Sequence, residues 1–239
     1  MIAGSCWQLC AAVDGFAAPT SHELVTQVAI DRSFQLINDL SKDSCGRSVS
    51  YRVEVRLLED GYRCWLDLSE LFDRAFQRGP WEPLFLDKDQ IQSRIPSVLK
   101  WLDKAAGREN NYLWGGTIGP DFDCSGLVQA AFASQEIWLP RDAYQQEKFC
   151  ETLKISFLDY QTLWPGDLLF FGTLDKCTHV AIYLGAGVYC HSSGVTNGWN
   201  GIGCNRLQKF DKSSVACFYR SQLRSLGRVV ECHDGSTLP

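Results

Sequence analysis

Histidine is scarce in this chain, with four in 239 residues, and methionine occurs once. Other patterns are missing altogether. No two of the eleven cysteines are spaced Cys-x-x-Cys, and no two histidines stand as His-x-x-x-His, so the chain has no compact metal-ligand pair. An odd number of cysteines in a chain too long to need disulfide staples fits a reducing compartment. There is no internal repeat or low-complexity tract. The uncharged opening, residues 1–13, contains Gly4, Ser5, Trp7 and Gln8 and no Lys or Arg. It is too short and too polar to cross a bilayer or to act as a strong signal peptide. Trp7-Gln8-Leu9 ahead of Cys10 is too bulky for a lipoprotein cleavage site. The expectation is a cytosolic chain with no membrane partner. A basic face is lacking as well. Net charge is −5 with a pI near 5.4, and Arg52, Arg56 and Arg63 are interspersed with Glu54, Glu59 and Asp60. That argues against a nucleic-acid partner.

What is present is an ordinary globular composition, 45% hydrophobic and 21% charged, in a length that can hold two small domains. Residues 48–57 alternate apolar and polar side chains, Glu59-Asp60-Gly61 forms a turn, and residues 62–66 read as the returning strand. With shorter strand-like stretches at 23–30 and 33–40, this predicts a small β-barrel or roll. Gly79-Pro80-Trp81-Glu82-Pro83 breaks the pattern, which sets the domains at 1–83 and 84–239. Asp87 or Asp89 can cap a helix over 90–106, with Ile91, Ile95, Val98, Leu99 and Leu102 on one face. Pro96 kinks or restarts it, and Gly107 ends it.

Cys124 stands apart from the other ten cysteines. Trp114-Gly115-Gly116-Thr117-Ile118-Gly119-Pro120 can neither continue a helix nor pack as a strand, whereas Leu127, Val128, Ala130, Ala131 and Phe132 recur at helical spacing up to Trp138. Cys124 therefore falls at a helix N-terminus, where free N–H groups and the helix dipole favour a thiolate nucleophile. Most cysteines in such a chain are small buried hydrophobes. Downstream, residues 168–171 form an apolar run typical of a central strand, and strands at 179–184 and 188–192 flank Gly185-Ala186-Gly187. A helix followed by an antiparallel sheet is an α+β layout.

The register of that last hairpin decides the chemistry. A three-residue loop sets Ala181 opposite His191 and His179 opposite Ser193, bringing both imidazoles to one face within hydrogen-bonding reach. A two-residue loop puts them on opposite faces. In the first register His179 can serve as base for Cys124, with His191 fixing its orientation. Two satisfied strand histidines, or a Cys/His/His zinc site, are the plainer alternatives.

Phe122-Asp123-Cys124-Ser125-Gly126-Leu127-Val128, Leu139-Pro140-Arg141, Pro165-Gly166-Asp167-Leu168, His179-Val180-Ala181-Ile182-Tyr183-Leu184 and the later His191 together resemble the NlpC-type cell-wall cysteine peptidases. The resemblance implies a reduced papain-like α+β domain with Cys124 as nucleophile, His179 as base and His191 as third polar residue, and it requires no metal or organic cofactor. Glu59-Asp60-Gly61-Tyr62-Arg63-Cys64-Trp65-Leu66 resembles a bacterial SH3-like barrel. Arg63-Cys64 stands where similar proteins commonly carry Pro-Gly. In similar two-domain members the residue matching Tyr62 walls the substrate groove, and the positions of Asp123 and Ser125 hold the substrate's amino group. The expected reaction is hydrolysis of the γ-D-glutamyl to diamino acid bond in small murein peptides with a free N-terminal L-alanine, by a monomer, during wall recycling. A non-catalytic muropeptide-binding protein and an acyltransferase or amidase using the same Cys/His pair are the alternatives. The bland readings are an N-cap for Asp123 and a hairpin aromatic packed on Trp65 for Tyr62.

Overall fold

The computed structural model describes residues 2–38, 51–154, 162–208 and 211–236; the first residues of the strand expected over 48–57 lie outside that set. The chain forms two compact units, Met1–Leu84 with His233–Pro239, and Phe85–Cys232. The break at residues 79–83 assigns the tail to the second domain. Instead it returns to the first unit, where Gly61 at φ 67° passes so close to the Ser236 carbonyl that no Cβ fits.

The first unit contains β1 (Cys6–Leu9), β2 (Val13–Phe16), β3 (Leu24–Val28), β4 (Ser33–Leu36), β5 (Arg52–Leu57), β6 (Arg63–Asp67), α1 (Leu68–Arg74) and β7 (Ala75–Gln77). These strands pair antiparallel in the order β3-β2-β6-β5-β4-β1-β7. Period-two alternation in β5 buries Val53, Val55 and Leu57 against Leu9, Phe34, Leu36 and Leu66. Beyond the expected hairpin, the turn it encloses is pinned from within. The buried Arg32 guanidinium lies 3.2 Å from Glu59 and 2.9 Å from Asp60, and Glu59 also accepts the Ser33 amide at 2.6 Å.

The second unit opens with α2 (Lys88–Ala106). Asp87 and Gln90 form a reciprocal capping box, and Pro96 is accommodated inside one continuous helix. Then come α3 (Cys124–Ala133), α4 (Ala143–Phe149), β8 (Glu151–Thr152), β9 (Leu168–Gly172), β10 (Cys177–Gly185), β11 (Val188–Ser193), β12 (Gly201–Arg206), α5 (Ser214–Gln222) and β13 (Leu223–Arg228). The antiparallel sheet runs β12-β11-β10-β9-β13-β8. One core joins Leu168, Phe170, Val180 and Ile182 to Leu127, Val128 and Phe132 of α3 and to the apolar face of α2. Another gathers Leu169, Phe171, Ala181 and Tyr189 with Tyr219 of α5. Leu127, Val128 and Phe132 are fully buried, each stabilising by about 1.5–3 kcal/mol, so α3 is held by packing on the sheet. The unit is α+β, as expected. Helix α3 is shorter than its apolar spacing suggested, because Glu136 at φ 61° turns the chain before Ile137 and Leu139 re-enter the core.

Candidate active site

Helix α3 starts at Cys124 because Asp123 caps it. Asp123 Oδ1 accepts the Gly126 amide at 2.7 Å, and Oδ2 accepts the Gly115 amide at 3.0 Å, tying the Gly-rich loop to the helix head. Gly126 is required at this point, since a Cβ there would run into the Gly116 carbonyl oxygen. Arg141, 1% exposed, places its fork on the same carboxylate. Nη2 donates to Asp123 Oδ2 at 2.6 Å, while Nη1 donates to Oδ1 at 3.2 Å and to Ser125 Oγ at 3.0 Å. Gln146 Nε2 adds bonds to the Ser125 and Pro140 carbonyls. Asp123 and Ser125 therefore sit together in a cluster held by Arg141 and Gln146.

Cys124 is 7% exposed. Burial pushes its thiol up to about 12, with the Asp123 charge adding to the rise; the Val180 amide, Arg141 and the Ser125 amide oppose it. The sequence predicted a lowered thiol at a helix head. Desolvation outweighs the backbone dipoles here, and the resting sulfur is protonated. The Val180 amide that reaches the sulfur belongs to the residue following His179 on β10. Tyr112 is bridged to Phe122 next to this loop, and its hydroxyl is raised by burial first, then by Cys124 and Asp123.

The β10–β11 hairpin reaches the expected register by an unexpected route. Ala186 and Gly187 make a two-residue turn with φ of 49° and 76°, closed by Gly185 opposite Val188. A bulge at Leu184 then shifts the pairing by one residue, so that Tyr183 faces Tyr189 and Ile182 faces Cys190. Continued along the strands, this is the register in which both imidazoles share a face. His179 Nε2 lies 2.7 Å from His191 Nδ1, and His191 Nε2 lies 2.9 Å from Asn205 Oδ1 on β12.

This chain of contacts settles the tautomers. Asn205 Oδ1 can only accept, so His191 carries its proton on Nε2 and offers the Nδ1 lone pair. His179 must then donate from Nε2, which leaves its Nδ1 as a free base. Both rings rest neutral: burial, then His191, holds His179 well below the usual imidazole range, and burial lowers His191 to about 4 against the Asn205 hydrogen bond. Tyr219 stacks on His179 with centroids 4.2 Å apart and meets His191 edge-on at 4.7 Å. Its hydroxyl is fixed by Ser193 at 2.7 Å and Asn197 at 2.9 Å.

Of the residues singled out from sequence, Cys124, Asp123, Ser125, His179 and His191 all lie in the second unit. Tyr62 belongs to the first unit, where it packs against that unit's core. Asn205, Arg141, Tyr112 and Tyr219 had been given no role. Asn205 could have been found from alternation, because His191 pairs with Gly203 and Asn205 stands two residues further along the same face. Among the described residues, no three His, Cys, Asp or Glu side chains form a group able to hold a metal ion, so Cys124, His179 and His191 are not arranged as zinc ligands.

A cysteine at a helix head beside a strand bearing a hydrogen-bonded His–His–Asn chain is the layout of a thiol hydrolase. Residues 109–215, within the second unit, match the model of the NlpC/P60 family. The chain is 39% identical over 123 residues to the bifunctional muramidase/DL-endopeptidase CwlT of Bacillus subtilis, covering 49% of this chain and 32% of that protein. It is 37% identical over 156 residues to a gamma-D-glutamyl-L-lysine dipeptidyl-peptidase of Bacillus cereus, covering 64% of this chain and 40% of the relative. It thus spans well under half the length of these relatives. Among solved structures, an NlpC/P60 family protein from Bacillus cereus aligns over 95% of this chain and 64% of its own, at 20% identity and a TM-score of 0.45.

Proposed function

We propose that the protein is a cysteine peptidase that hydrolyses the γ-D-glutamyl to diamino acid bond of small murein peptides. The observation that carries this reading is the Asn205–His191–His179 chain, which leaves His179 Nδ1 as the nitrogen free to take a proton. The Cys124 thiol gives its proton to His179 as sulfur attacks the γ-glutamyl carbonyl, and backbone N–H groups at the head of α3 stabilise the oxyanion. His179 then returns the proton to the leaving amine, and water hydrolyses the acyl-enzyme. Because thiol and imidazole both rest neutral, the nucleophile forms during attack, by general-base catalysis.

The finer substrate assignment draws support from the Bacillus cereus relative named as a gamma-D-glutamyl-L-lysine dipeptidyl-peptidase. In this reading the substrate's free α-amine approaches Asp123 and Ser125 in competition with Arg141. The odd count of eleven cysteines, none spaced Cys-x-x-Cys, supports a reducing, cytosolic setting. Cys124→Ala is expected to abolish cleavage of L-Ala-γ-D-Glu-diaminopimelate while circular dichroism stays native; undiminished turnover by that variant defeats the proposal. Mass spectrometry of muropeptides with free and acylated N-termini tests the amine requirement.

The raised thiol is the one observation favouring a non-catalytic muropeptide binder. Iodoacetamide separates the two. A peptidase shows Cys124 alkylation that falls sharply in His179→Ala, whereas a scaffold shows alkylation indifferent to that change.

A further inference from the structure

Outside the Cys124 site, one pair of nucleophilic side chains is brought face to face by the sheet. Cys190 on β11 is directly opposite Cys204 on the edge strand β12. Residues opposed in this way hold their Cβ atoms about 4.5–5.5 Å apart with Cα atoms about 4.5–5.5 Å apart, so a small approach of the strands brings the sulfurs within bonding distance. The two thiols differ in access: Cys190 is 1% exposed and part of the core, whereas Cys204 is exposed to solvent. We propose that Cys190 and Cys204 form a dithiol modification site, in which the exposed sulfur is attacked or attacks first and the buried one closes an intramolecular disulfide.

The electrostatics act in the same direction. The hydrogen bond from Cys190 lowers the Cys204 thiol, against burial and the Asp103 charge, while the same bond and burial raise Cys190. The partner is a small organic disulfide. The Cys204 thiolate attacks one sulfur of R–S–S–R, forming a mixed disulfide and expelling one thiolate. Cys190 then gives up its proton and attacks the Cys204 sulfur, expelling the second thiolate. One small disulfide is reduced to two thiols as two protein thiols become one disulfide. The site needs nothing from Cys124, and it joins the two strands that carry His191 and Asn205, each of which directly follows one of the paired cysteines.

The test is to incubate the full chain with oxidised glutathione, block remaining thiols with iodoacetamide, and map peptides without reduction. The expected result is a 190–204 cross-linked peptide, about 2 Da lighter than its two reduced halves, that disappears on adding dithiothreitol. In Cys190→Ala the glutathione adduct should accumulate on Cys204, because no second thiol resolves it; Cys204→Ser, a change at an exposed edge position, should yield neither species. Cys190 and Cys204 both recovered alkylated while exposed Cys10 or Cys217 carries the glutathione would overturn the proposal. So would a Cys204 adduct that persists in the unsubstituted chain.

Discussion

Two buried arginines, one in each unit, do outwardly similar work with different consequences. Arg32 divides itself between Glu59 and Asp60 and pins the β5–β6 turn, whereas Arg141 puts its whole fork on Asp123, a carboxylate that also caps α3 and holds the Gly-rich loop. Both relieve the cost of burying a charge by pairing it. Only the second has its carboxylate one residue from Cys124. The difference teaches that a buried ion pair is a positioning element when its carboxylate is shared with the backbone that carries the chemistry, and otherwise a fastening of the fold.

The sharpest way to break that contrast is Asp123→Ala. It removes the carboxylate facing Arg141 and the cap of α3, and should cost about 3–5 kcal/mol in urea unfolding together with all measurable turnover. Arg32→Ala should cost about 3 kcal/mol while leaving turnover per folded molecule unchanged; a fall in both would dissolve the distinction. Burial, which pushes the Glu59 carboxyl up, lightens the second loss.

Acid should reveal the histidine pair. Its folded pKa values lie below the unfolded value near 6.5, so its contribution to stability is complete above about pH 6.5 and is lost as pH falls toward about 4. His191 alone accounts for a loss on the order of 3 kcal/mol, and His191→Gln should reduce the pH dependence of urea unfolding over that window by about that share, leaving the part due to His179. A smaller effect is expected from Asn205→Leu, which frees the His191 tautomer. It should lower kcat by up to about a hundredfold with KM little changed, and Asn205→Asp, which keeps an acceptor, should recover most of it. Smallest of all, Glu70→Gln removes an ion pair to Arg74 in which both side chains are more than 40% exposed, and should shift stability by less than about 0.5 kcal/mol.

Much of the site was legible from the residues themselves. The Gly-rich approach, the cap and the apolar spacing placed Cys124 at a helix head, and alternation put the histidines on neighbouring strands. What escaped had physical reasons. The hairpin register rests on a bulge at Leu184 that no spacing rule marks, so a two-residue turn still brought the imidazoles together. The helix-dipole argument for a lowered thiol omitted desolvation, which only the packed structure reveals. Arg141 lay within a quoted motif, yet its partner is 18 residues away. Gly201–Arg206 and Leu223–Arg228 carry no clear strand signal, because one is an edge strand and the other carries two arginines and a glycine.

The tail that returns to Gly61 links the beginning and the end of the molecule in time as well as space. During synthesis the first unit emerges earliest, yet Leu58 and Gly61 must await Gly235 and Ser236, made after every strand of the peptidase sheet. Residues 1–84 are therefore made before the rest of their own unit, and synthesis halted before residue 233 would leave that unit unfinished.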